Sequence, residues 1–293
     1  MAHKAGFVNI LGNPNVGKST LMNKLVGEKL SIITNKSQTT RHRIMGIVNG
    51  EDFQIVYSDT PGIIKPNYKL QKSMMHFVDT AIEDADLILY VTDVVEDPEK
   101  NKLYIDRIQR ENKPVLVLIN KIDQTSQMAL EGLVEKWAGF LPNASILPLA
   151  AKHKLNVDKV FDYIMHHLPE SEPYFPKDEL TDRSQRFFAS EMIREKILLY
   201  YQKEIPYSVE VEIYSFKEDE RMAHIEANIY VARESQKGIL IGHKGEKLKK
   251  VGTEARLDIE EFFEKKVFLE LFVKVDENWR DNDRKLRRFG YIE

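Results

Sequence analysis

The chain has 293 residues, 42% of them hydrophobic and 30% charged, with a formal net charge of −3. That length suits roughly two domains, each long enough to bury its own core. There is no cysteine, which excludes disulfides and thiolate metal sites, and the longest apolar runs, Leu87 to Val91 and Val115 to Ile119, fall far short of the ~20 residues that span a bilayer. The apolar stretch Phe7 to Leu11 is too short for a secretion signal, so the expected location is the cytoplasm.

In chain order, the first element is a buried strand at 7–11, followed by similar β-branched runs at 53–58, 87–93, 115–120 and 145–150. Helical patterns occupy 126–139 and 157–167. Near-continuous apolar strands suit a parallel sheet covered on both faces. Their alternation with helices predicts an α/β fold with right-handed crossovers. Ligands of such sheets sit beyond the carboxyl ends of the strands, and every motif of this half falls at one of those ends.

GNPNVGKS, Gly12 to Ser19, fits G-x-x-x-x-G-K-[ST] between a strand and a helix. Gly12 and Gly17 let the backbone wrap phosphates, and the helix N-terminus favours negative charge. Lys18 then adds charge at the outer phosphates and Ser19 offers a hydroxyl to Mg2+. In SQTTRHR (37–43) a threonine can join the metal only while a γ-phosphate is present; Thr39 and Thr40 qualify equally. Arg41 and Arg43 read as solvated or RNA-facing, with a role as arginine fingers the alternative. DTPG, Asp59 to Gly62, ends the second strand: Asp59 suits Mg2+ through water and the Gly62 amide suits the γ-phosphate, against a plain Pro-Gly turn. NKID, Asn120 to Asp123, chooses the base. The Asp123 carboxylate can accept two hydrogen bonds that guanine offers and adenine does not. Asn120 would tie this loop to the phosphate loop, with the Lys121 stem covering the base.

Residues 168–181, with Pro169, Pro173 and Pro176 among charges, read as an extended linker. A helix at 183–206, half-exposed strands at 207–216 and 223–232, a helix at 247–264 and a strand at 267–275 complete an α–β–β–α–α–β order around the Gly242–Gly245 turn. G-x-x-G between helices lets backbone approach a nucleic-acid chain, as in KH domains. Ile239, Leu240 and Ile241 read as core and groove wall at once. This half is nearly balanced in charge, but lysines cluster beside the turn and arginines in the tail. The expected domains are 1–170, a linker at 171–182, and 183–293. A constitutive RNA-binding module and a signalling GTPase with a protein-binding second domain are the competing readings.

GNPNVGKS, QTTR, DTPG and NKID in this order resemble the translation-factor-type GTPases. With the second half included, the whole chain is similar to the Era-like family of bacterial ribosome-assembly GTPases. The resemblance implies a P-loop NTPase domain with a mostly parallel sheet, then a smaller α+β type II KH domain, with GTP/GDP and Mg2+ as cofactors. It implies phosphate contacts from Gly12, Asn13, Asn15, Val16, Gly17, Lys18, Ser19, Thr20, Asp59, Thr60, Pro61 and Gly62, with Lys18, Thr40 and Gly62 serving catalysis. It selects Thr40 over Thr39 as the sensor and gives Ser19, Thr40 and Asp59 to Mg2+. Guanine contacts fall to Asn120, Lys121, Asp123, Ala151 and Lys152. In LAAK (149–152) Ala150 replaces the usual Ser, leaving the Ala151 amide to reach the guanine oxygen. Ile63 stands where Ras-like proteins place a water-orienting Gln, so intrinsic hydrolysis is expected to be slow, raised by a partner or by K+ at Asn15. Ile241, Gly242, His243, Lys244, Gly245, Lys247, Lys250, Arg284, Arg287 and Arg288 are the expected RNA contacts. The implied partners are small-subunit ribosomal RNA near its 3′ end and the 30S subunit, with the protein a monomer that associates peripherally with the inner membrane.

Overall fold

The computed structural model describes residues 2–292. They form two compact units: one runs to Pro66 and from Met74 to Asp182, and the other combines Asn67–Ser73 with the chain from Arg183 onward.

The first unit is built on a six-stranded sheet. Its strands are β1 (Lys4–Leu11), β2 (Ile44–Asn49), β3 (Phe53–Asp59), β4 (Leu87–Asp93), β5 (Val115–Asn120) and β6 (Ser145–Pro148), in the order β2-β3-β1-β4-β5-β6. All neighbours are parallel except β2 and β3. The apolar runs predicted these parallel strands because burial on both faces removes any need for polar alternation; β4 is buried from end to end. The edge strand β2 was not expected. Its run is short and holds Gly46, a residue that weakens strands. The space explains the glycine: a Cβ there would lie 2.6 Å from Met22 Cε. Helices α1 (Lys18–Val26), α2 (Lys69–Glu83), α3 (Lys102–Arg110), α4 (Gln127–Phe140) and α5 (Val157–His167) accompany the sheet. α4 begins just after Ser126, whose Oγ accepts the Ala129 N–H and caps the helix.

Arg41 and Arg43 correct the sequence reading. Both are buried, at 0% and 7% exposure, so neither faces solvent or RNA. Arg43 donates to Ser58 Oγ, Asn9 Oδ1 and both carboxylate oxygens of Asp84. A guanidinium with its fork filled in this way belongs to the core.

The second unit packs helices on a three-stranded sheet of β7 (Glu210–Glu218), β8 (Met222–Val231) and β9 (Lys266–Val275). β7 and β8 are antiparallel; β8 and β9 are parallel. The predicted helix at 183–206 divides. α6 (Gln185–Tyr200) stops when Tyr201 turns extended, and a single turn, α7 (Ile205–Ser208), follows with Pro206 in its first turn. Proline is tolerated there because that N–H has no intrahelical partner. α8 (Glu234–Ile241) and α9 (Glu246–Phe263) supply the crossover that a parallel pair requires. Among the buried side chains of α6 are Glu191 and Arg194, joined by two bonds of 2.7 and 2.6 Å. The basic tail, read as a charge cluster, is an ordered helix, α10 (Asp283–Arg288), anchored by buried Trp279, Leu286 and Tyr291.

Glu191→Ala leaves the Arg194 charge inside the second unit without its main partner. We expect a loss of about 3 kcal/mol, read as a lower urea midpoint with the slope retained. A change below about 0.5 kcal/mol would show the pair to be dispensable.

Candidate functional site

The turn after β1 and the segments that follow β3 and β5 meet at one edge of the sheet. Together with residues 32–40 they line a cavity of about 630 Å³. Gly17 makes the closure possible. Its φ is 102°, and a Cβ there would sit 2.2 Å from Asn120 Nδ2, so a side chain would push apart the two loops that Asn120 holds together. Asn120 Nδ2 donates to Val16 O at 2.8 Å, and its Oδ1 accepts the Ala151 N–H at 3.0 Å. One carboxamide therefore joins the phosphate loop, NKID and LAAK.

Lys18 is buried and donates to Gly12 O and Asn13 O, at 3.1 and 2.8 Å. Burial lowers its pKa to about 8, against the opposing pull of Asp59 and Glu96. Asp59 is fully buried, and desolvation raises its pKa in spite of Lys18 and its hydroxyl donors. Ser19 Oγ donates to Asp59 Oδ2 at 2.7 Å and lies 3.0 Å from Thr40 Oγ1, which itself reaches Asp59 Oδ2 at 3.3 Å. The other carboxylate oxygen, Oδ1, is buried without a hydrogen-bond partner. Two hydroxyls converging on a carboxylate with a free oxygen form a hard, all-oxygen donor set of the kind Mg2+ takes, so these residues fit that ion. The geometry also separates the two threonines: Thr39 donates its hydroxyl to Lys36 O, away from Asp59.

Of the expected contacts, Asn15, Gly17, Lys18, Ser19, Thr20, Thr40, Gly62, Asn120, Lys121, Asp123 and Lys152 line the cavity. Others stand behind its wall. Thr60 gives its hydroxyl to Ile10 O, and the Asn13 carboxamide accepts from Asn101, so neither side chain faces the cavity. Gly12, Val16, Pro61 and Ala151 are buried, and the Ala151 amide, expected for the guanine oxygen, is donated to Asn120. Ile63 is buried and its N–H donates to Gly12 O, so no side chain able to hold a water follows DTPG. Sequence reasoning missed Asp93, which closes β4 and pairs with Lys121 at 2.7 Å. A carboxylate ending an otherwise apolar strand at the loop-bearing edge was the available signal. It also missed the wall formed by Ile33, Lys36 and Gln38, a stretch with no periodicity to mark it.

In the second unit, residues 242–245 form the turn between α8 and α9. Gly242 has φ 73° and ψ −176°, and a Cβ there would meet Lys247 Cγ at 2.8 Å; Lys244 and Gly245 are also left-handed. His243, Lys244, Lys247 and Lys250 are exposed around it. The three apolar residues before the turn separate: Leu240 is buried in the core, Ile239 is 44% exposed, and Ile241 is half-buried. Tyr200 and Tyr201 were not foreseen. Lys250 Nζ lies 4.2 Å above the Tyr200 ring and Lys247 Nζ 6.0 Å above that of Tyr201. Arg284 and Arg287 are exposed, whereas Arg288 is held by Glu212 through two 2.6 Å bonds.

The Lys18 value has a measurable consequence. Phosphates favour the charged amine, so a ligated Lys18 titrates above the free one, and binding takes up a proton when the pH exceeds about 8. Guanine-nucleotide affinity should be flat below pH 7 and weaken toward tenfold per unit between the free and the ligated pKa. Calorimetry in two buffers of different ionisation enthalpy checks this; no proton uptake at pH 8.5 would contradict it.

Residues 7–121 match the family model for the 50S ribosome-binding GTPase, and residues 204–280 match that of the KH domain. The chain is 42% identical over 290 residues to GTPase Era of Clostridium kluyveri, covering 98% of this chain and 99% of that one. It is 43% identical over 294 residues to GTPase Era of Pseudomonas aeruginosa, with coverage of 98% and 95%. A crystal structure of Era in complex with MgGDPNP and nucleotides 1506–1542 of 16S ribosomal RNA superposes with a TM-score of 0.95 at 40% identity, over 99% of this chain and all of that one. A variant of Aquifex aeolicus Era bound to GDP and AlF4− gives the same score and identity. With P-loop, switch segments, base-reading loop and G-x-x-G turn all in their places along one chain, this protein belongs to the Era family of GTPases.

Proposed function

We propose that this GTPase is a switch whose nucleotide state controls the grip of its KH domain on single-stranded RNA near the 3′ end of small-subunit ribosomal RNA, and that it acts in 30S assembly. The observation that carries this reading is the relative solved with both MgGDPNP and a 16S segment, which matches 99% of this chain. The geometry of the two units supports it. Ser19, Thr40 and Asp59 would hold Mg2+, which when bound neutralises charge on the phosphates. Lys18 sits at the base of the cradle as a buried cation. Asp123 presents its carboxylate to the base while Asp93 fixes Lys121 beside it. Thr40 reaches the metal site from a loop that the γ-phosphate can order or release.

Buried Ile63 leaves the attacking water unoriented by a side chain, so intrinsic hydrolysis is slow. Asn15, exposed at the cavity rim with φ 66°, is placed to add K+ beside the phosphates. In the second unit, the open space at Gly245 and the lysines around it suit an RNA backbone. Tyr200 offers a ring on which a base can stack. Arg284 and Arg287 add phosphate contacts, while Arg288 is already paired with Glu212 and contributes less. No helix among the described residues is long and apolar enough to cross a membrane. The family resemblance has the protein working in the cytoplasm as a monomer, with any inner-membrane contact peripheral, and flotation with vesicles tests that last point.

Asp123→Asn should shift preference from guanosine to xanthosine nucleotides by about 100-fold or more, because the amide sets a donor against a donor of guanine. An unchanged preference in competition binding removes Asp123 from the base pocket. Replacing NaCl by KCl should raise hydrolysis several-fold in the wild type and not in Asn15→Ala; equal rates in both salts would leave Asn15 as a loop brace. The double variant Gly242→Asp, Gly245→Asp should lose at least about tenfold in affinity for the 16S 3′ oligonucleotide with GTP hydrolysis intact. Unimpaired RNA binding would refute the clamp.

A further inference from the structure

The stretch 174–182, part of the segment read from sequence as an extended linker, is fastened to the edge of the nucleotide-binding sheet. Gln54 Oε1 accepts the Tyr174 and Phe175 amides at 2.7 and 3.0 Å, and its Nε2 donates to Phe175 O. Lys177 Nζ donates to the carbonyls of Gly50 and Glu51 in the β2–β3 turn. The last three residues then run along β2. Ile47 N–H donates to Leu180 O at 2.8 Å, Thr181 Oγ1 to Met45 O at 2.6 Å, and Met45 N–H to Asp182 Oδ1 at 3.2 Å. This contact covers backbone groups of an edge strand that would otherwise be open.

Both ends of β2 matter. Its first residue, Ile44, follows directly on Arg43 and lies just past Thr40, the γ-phosphate sensor. Arg43 is bonded to Asp84, next to the C-terminal end of α2, and α2 is the helix that follows DTPG. Asn9 Nδ2 donates to the same half-exposed carboxylate at 2.7 Å, and buried Ser58 Oγ accepts from Arg43. The first phosphate-sensing segment is therefore tied, through the buried Arg43 guanidinium, to Ser58, the residue before DTPG, at the head of the strand that holds 180–182. Past Asp182 the chain continues into the second unit.

We propose that Leu180–Asp182 is the reporter of nucleotide state. Ordering of Thr40 at the metal site steadies Arg43 and β2, and β2 then grips the linker; release of the γ-phosphate loosens that grip and frees the chain entering α6. Thr181 and Asp182 are positioning residues in this scheme and touch no ligand. The scheme rests on the reading that nucleotide state controls RNA affinity, and it names the element that carries the control.

The test uses the full chain, an oligoribonucleotide of 16S nucleotides 1506–1542, and GDPNP or GDP with Mg2+. In the wild type, RNA affinity should differ at least about fivefold between the two states. In the double variant Thr181→Val, Asp182→Ala the difference should fall below about twofold, with GTP affinity and RNA-free hydrolysis unchanged. Hydrogen exchange at the Ile47 amide, followed in the wild type, should be slower with GDPNP than with GDP. A double variant that keeps the full wild-type ratio, or identical Ile47 exchange in the two states, overturns the reporter and leaves the RNA switch standing. Equal RNA affinities in the wild type overturn the switch itself, and the reporter with it.

Discussion

The first unit depends on holding two opposite charges, Lys18 and Asp59, out of water at one edge of a sheet. Each alone is expensive to bury. They are tolerated because neighbouring groups are aimed at them: two carbonyls at Lys18, and the hydroxyls of Ser19 and Thr40 at Asp59. The compensation is incomplete, as the lowered lysine and the raised carboxylate show. That shortfall is useful. A site already balanced would gain little from a triphosphate and a divalent ion, whereas this one offers each an unsatisfied counter-charge.

The same economy explains why single side chains join several loops. Asn120 binds the phosphate loop with its nitrogen and the LAAK loop with its oxygen. Lys121 reaches Asn15 O and Asp93 with one ammonium. Cohesion between loops therefore runs through the residues that also face the ligand cavity, and occupancy of the cavity is linked to the rigidity of its rim.

Much of this was legible in the chain. β-branched runs marked the parallel strands, and in β1, β3, β4 and β5 double-sided burial leaves a plain apolar signature. The four nucleotide motifs were legible because backbone geometry and base chemistry restrict residue type at fixed spacing. What escaped notice had no local signature. β2 is a short edge strand whose Gly46 answers to Met22, far away in sequence. Arg41 and Arg43 look solvent-facing in any window of sequence, and only the fold supplies Asp84, Ser58 and Asn9 to bury one of them. Tyr200 and Tyr201 join the surroundings of the G-x-x-G turn only because α9 brings Lys250 and Lys247 over their rings. The linker's prolines signalled extension correctly but carried no information about the edge along which it lies.

The parallel pairing of β8 and β9 bears on how the second unit comes into being. An antiparallel partner can join as soon as a short turn is made, and β7 and β8 have that advantage. β9 cannot join until α8, the G-x-x-G turn and α9 have all been made and folded across the sheet, and Trp279 and Tyr291 lie later still. A chain growing from its N-terminus completes this crossover only after the whole nucleotide-binding unit has been made. The G-x-x-G turn is therefore assembled late, after the nucleotide-binding unit is already free to fold, so a nascent molecule has its nucleotide cradle before its second unit is complete.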